Sequence, residues 1–143
     1  MVEPGPEYDY RYLGGIWFFN ERDFFQAHEV WESLWLECAG TERRFYQGLI
    51  QAAVALYHFG NGNLRGALKL YGTAQAYMNA YPSPFLGLDR ESFWQAMSAC
   101  FAALLEDPNP DRYLRPDEQK IPRIELQPPP ESWPDPARFE QED

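Results

Sequence analysis

Wound at about 100° per residue, the stretch from Phe24 to Leu36 gathers Val30, Leu34, Ala27, Trp31, Phe24, Trp35, Phe25 and Leu36 into one wide apolar arc. His28 and Glu32 fall inside that arc, at about 40° and 80° from Phe24, while Gln26, Ser33 and Glu37 take the wet side and Glu29 the boundary. The pattern predicts a helix over Asp23–Cys38, with Asp23 as its cap and Ala39-Gly40 as its end. An imidazole and a carboxylate one turn apart on a core-facing surface would need partners, because an unpaired buried charge is very costly.

The same reading assigns the other segments. Tyr12, Ile16 and Phe19 keep helical spacing across Tyr8–Asn20, although Gly14-Gly15 weakens that helix. A third helix is expected from an N-cap at Thr41 to Phe59, apolar almost all round and therefore central. Gly60-Asn61-Gly62-Asn63 reads as a turn, with Asn63 capping a fourth helix over Leu64–Ala80. Its small residues Gly66, Ala67, Gly72, Ala74 and Ala76 suggest close approach to a neighbour. Tyr81-Pro82-Ser83-Pro84 breaks the chain, and Asp89 opens a fifth helix ending near Glu106. Short connections make the expected fold all-α, an antiparallel bundle of about five helices.

Nine of the thirteen prolines lie beyond Asp107, so the chain divides into a helical bundle domain over 1–106 and a Pro-rich, acidic extension over 107–143. Ile121, Ile124, Leu126, Trp133 and Phe139 would let the extension dock as a strap; a mobile tail is the other reading. The net charge of −10 argues against nucleic acid and against anionic membrane surfaces as partners. No apolar run reaches transmembrane length, and the acidic, Pro-containing start does not read as a secretory leader. Cys38 and Cys100 have no metal or redox spacing and read as reduced thiols of a cytoplasmic protein.

The candidate chemistry centres on the second and third helices. Gln47, Gln51 and His58 form a single polar stripe on the third helix, with Arg44 beside them. If that stripe faces His28 and Glu32, the two helices share a buried network of the kind Glu32–Arg44 and His28–Gln51, fixing their register. Arg43 and Arg44, in a first turn where cations oppose the helix dipole, call for carboxylates such as Glu29 and Glu32. A competing reading makes His28, Glu32 and His58 ligands of a divalent metal in a hydrolase-like site with Glu29 as base. General acid–base work by His28 or Glu32 is a further reading. Glu32 stands where the H-E-x-x-H zinc motif has its second histidine, which departs from that motif. A different class of function is a protein-interaction module, dimeric or binding another protein, through Trp17, Phe18 and neighbouring aromatics.

Four steps occur in order: AHEVWESLW, RRFYQGLIQAAVALYH, GNLRGALKLYGTA and GLD before the last helix. On these the chain resembles, over about Gly15–Leu105, domain-of-unknown-function family 309, a small helical bundle family without an assigned activity. The resemblance marks His28, Glu29, Glu32, Arg44, Gln47, Gly48, Gln51, His58, Asn63, Gly66 and Ala67 as signature positions. A looser likeness to tetratricopeptide hairpins, carried by Tyr71, Ala74 and Pro82, covers a single unit and implies at most a groove for a peptide or a partner helix.

Overall fold

The structure, a computed structural model, describes residues 7–140. Five helices account for the bundle: α1 (Tyr10–Asn20), α2 (Phe24–Glu37), α3 (Arg43–Gly60), α4 (Leu64–Met78) and α5 (Arg90–Glu106). Four of them start on an Asx cap. Asp9, Asp23, Asn63 and Asp89 each accept a hydrogen bond from a backbone N–H of the first turn, satisfying a donor the helix itself cannot. The exception is α3. Thr41 does not cap it; the helix grows out of a turn in which Arg43 N–H donates to Gly40 O and Glu42 is already helical (φ −76°, ψ −6°). Thr41 instead offers its carbonyl to the Tyr81 hydroxyl.

The first four helices run antiparallel, each to the next. Arg11 at the start of α1 bonds Glu37 at the end of α2, while Phe19 meets Phe24 at the turn between them, ring centroids 5.1 Å apart. Likewise Phe25 meets Tyr57 at one end of the α2–α3 pair and Arg43 stacks on Trp35 at the other. The α3–α4 pair closes on Gly48, where a β-carbon would sit 2.4 Å from Met78 Cγ. Helix α5 seals the core through Phe93 against Phe19 and Phe101 against Phe59 and Tyr71.

Gly14 and Gly15, which weaken α1 in isolation, are each occupied by a ring from elsewhere. The Trp31 indole fills the place of a Gly15 side chain, and Phe139 from the extension fills that of Gly14. Gly66 and Gly72 do not follow the expectation of close helix approach. Gly66 faces the side chain of its own cap, Asn63, and Gly72 is exposed with nothing within 4 Å.

The extension packs across the bundle. Ile124 and Leu126 are both 3 % exposed. Asn20 and Ile124 exchange two hydrogen bonds, of 2.8 and 2.9 Å, and Gln127 N–H donates to Gly87 O. A short 3-10 turn, Pro136–Phe139, lays Phe139 on α1, and Gln26 holds its carbonyl at 2.8 Å. Trp133 stays 42 % exposed. This strap covers the aromatic surface expected of Trp17 and Phe18: Phe18 is 2 % exposed and meets Phe139 edge-on, so it is core and not a contact patch. Cys38 and Cys100 are free thiols, and burial pushes Cys100 up to about 11.

Candidate functional site: the outer edge of the α2–α3 hairpin

Helix α2 buries Phe24, Ala27, Val30, Trp31 and Leu34 between its neighbours. The remaining edge, on the α3 side, carries Phe25, His28, Glu32 and Leu36 at steps of three or four residues, which places them in one row. Phe25 is 49 % and Leu36 65 % exposed. The expected burial of the polar cluster is therefore overturned: His28 is half-buried, Glu29 and Glu32 are exposed, and among the described residues no polar or charged residue is fully buried. The apolar arc is wider than the strip that α1 and α3 cover, so its margin reaches solvent.

His28 is held within its own helix. Its Nδ1 lies 2.9 Å from Phe25 O and its Nε2 3.2 Å from Glu32 Oε2. Both ring nitrogens thus face oxygen atoms of α2 itself. Glu29 Oε1 stands 3.8 Å from His28 Nδ1, but Glu29 turns to the other flank of α2, where it lines a shallow groove of about 370 Å³ with Gln26, Ser33, Arg138 and Phe139.

The α3 residues do not close the network. Glu32–Arg44 and His28–Gln51 contacts are absent, and among the described residues no side-chain hydrogen bond or ion pair joins α2 to α3. Arg44 is exposed; Arg43 spends its charge on the Trp35 ring, 3.9 Å from its centroid. Gln47 is half-buried, and Gln51 keeps a solvent-shielded Oε1 without a hydrogen-bond partner. His58 belongs to the next turn, where Asn63 Nδ2 lies 3.4 Å from its Nδ1 while Asn63 Oδ1 caps α4. Among the described residues no three His, Cys, Asp or Glu side chains are grouped to hold a metal ion, so His28, Glu32 and His58 are not assembled as a ligand set. Ser33 Oγ donates to Val30 O, and Ser92 Oγ donates to the Asp89 carboxylate that caps its own helix, α5.

What the hairpin does present is a mixed surface. Phe25 and Tyr57, 49 % and 39 % exposed, pack ring to ring at 5.5 Å, with His28 against Phe25 at 5.2 Å. Sequence periodicity assigned Phe25 to the core; the signal against this was its place at the rim of an arc shared with two ionisable groups. Periodicity also missed Arg11, a partly buried guanidinium that Asp9 and Glu37 hold charged against the desolvation that opposes it.

No described helix is long and apolar enough to cross a membrane. Comparison with known proteins matches residues 12–70 to the family model described as "Domain of unknown function (DUF309)". The uncharacterized protein YpuF of Bacillus subtilis (strain 168) is 34% identical over 87 residues, 59% of this chain and 50% of that protein. An uncharacterized protein of Aquifex aeolicus (strain VF5) is 35% identical over 72 residues, 50% of this chain and 22% of that protein. The chain thus spans about half the length of the first of these relatives and about a fifth of the second. No solved structure matches it. All of α2 and α3 and the start of α4 lie inside the matched segment, and there the resemblance read from the sequence holds: residues 12–70 match the DUF309 domain.

Proposed function

We propose that this chain is a binding protein acting through the outer edge of the α2–α3 hairpin, and that its partner is a second copy of the chain. The observation that carries the reading is the Phe25–Tyr57 pair: two aromatic rings packed on one another and left 49 % and 39 % exposed, with Leu36 farther along the same row at 65 %. Covering such side chains contributes about 25 cal/mol per Å² of apolar surface removed from water.

A two-fold contact must complement itself. This edge offers an acidic position at Glu32 and a cationic one at Arg44, which has no carboxylate partner among the described residues. Across an antiparallel pairing of hairpins, Arg44 of one copy can meet Glu32 of the other. That local match offsets the repulsion expected between two chains of net charge −10. His28 and Glu32, which lie between Phe25 and Leu36 along the row, then set the register, with the aromatic pair as anchor.

Sedimentation velocity across a concentration series tests this. The full chain is expected to sediment as a dimer that Phe25→Ser converts to monomer while the helical circular dichroism is unchanged. Arg44→Glu should weaken the dimer, and a second change, Glu32→Arg, should restore it. A monomer at every concentration overturns the reading.

A further inference from the structure

The strap and the start of α1 border a groove of about 500 Å³ whose lining includes Tyr8, Tyr10 and Trp133 together with Glu7, Glu131 and Arg138. Three aromatic side chains and two carboxylates converge there. Two of the aromatics, Tyr10 and Trp133, are 44 % and 42 % exposed, and Tyr8 is anchored by a 2.7 Å hydrogen bond from its hydroxyl to Pro128 O.

We infer that this groove is a binding site for an organic cation of the quaternary or methylated ammonium class. The faces of aromatic rings carry negative potential, and weakly hydrated ammonium groups lose little water on entering between them. The two carboxylates give the rim the complementary charge. One cation of the chain already lies on this wall: the Arg138 guanidinium is 4.0 Å from the Tyr10 ring centroid. With Glu7 and Glu131 against Arg138 the groove retains one net negative charge, and Arg138 acts as a built-in competitor that a ligand displaces from Tyr10. The strap supplies Trp133, Glu131 and Arg138, all outside residues 12–70, so the site is independent of the hairpin edge and of the dimer it is proposed to form.

The test is calorimetric titration of the full chain with choline and, separately, with 3,3-dimethylbutan-1-ol, its neutral carbon isostere. Choline is expected to bind one per chain and the isostere to leave no saturable heat. Trp133→Ala, at an exposed strap position, should weaken choline about tenfold, and Glu131→Gln about threefold. Arg138→Gln should strengthen it, a sign that a merely structural role for Arg138 would not produce. Peptides bearing Nε-trimethyl-lysine, compared with choline, separate a modified side chain from a free small molecule as the source; tighter binding of either supports the site. No saturable binding of either cation, equal binding of the isostere, or choline affinity unchanged in Trp133→Ala overturns it.

Discussion

The Trp31 indole lies where the side chain of residue 15 would otherwise be: a β-carbon on Gly15 would sit 2.0 Å from Trp31 Nε1, and that same nitrogen donates to Tyr12 O at 3.1 Å. The indole packs directly between α1 and α2 at this point. Gly15→Ala is therefore expected to destabilise the fold by about 3 kcal/mol through overpacking. Gly72→Ala, in an open and exposed stretch of α4, should instead stabilise it by up to about 1 kcal/mol through helix propensity. Urea midpoints of the two variants should move in opposite directions, and a loss of stability in Gly72→Ala would contradict the second expectation.

A surface pair and a buried network respond differently to mutation. Because Glu32 is about half exposed and reaches His28 within its own helix, Glu32→Gln should cost only about 0.5 kcal/mol or less. A loss of several kcal/mol, measured by the same unfolding assay, would mean that the pair is locked between helices after all.

Asn20 is a stronger structural contact than either. Its side chain both donates to and accepts from Ile124, which is 3 % exposed. Asn20→Ala leaves two shielded backbone groups unsatisfied and should cost about 2 kcal/mol. Hydrogen exchange should show the Ile124 amide losing protection more than the amides of α3; equal loss in both would place the effect in the core instead of the strap.

Acid should weaken the start of α5. Hydrogen bonds from Ser92 N–H, Ser92 Oγ and Ser83 Oγ hold the Asp89 carboxyl below its ordinary value of 3.8. A carboxyl whose folded value is depressed contributes stability above its unfolded value, and that contribution disappears as pH falls through the folded one. The stability difference between wild type and Asp89→Ala should thus be full near neutrality and shrink below pH 3.8; a difference independent of pH would show that the cap acts without its charge.

Much of the fold was legible because it is written locally. Asp23, Asn63 and Asp89 each precede an apolar periodic run, and each caps a helix. Thr41 carried the same local sign, yet α3 begins from a turn at Glu42, whose backbone is already helical. Periodicity reports which residues share a side but not how much of that side neighbours cover, so it places Phe25, His28 and Glu32 on a core face that stops short of them. Long-range matches were out of reach for the same reason: nothing near Gly14 announces Phe139, and nothing near Tyr10 announces Arg138.

The reciprocal Asn20–Ile124 bonds join residues 104 apart in sequence. At about 5–20 residues per second of synthesis, Asn20 waits about 5–20 seconds for its partner, and Phe18 waits longer still for Phe139. Through that interval the nascent chain carries α1 with an uncovered aromatic flank, so the completed strap is also the moment at which the newborn protein stops being sticky. A ribosome pausing between Leu126 and Phe139 would leave Phe18 without its Phe139 cover, and late chaperone contact during synthesis should centre on Trp17 and Phe18.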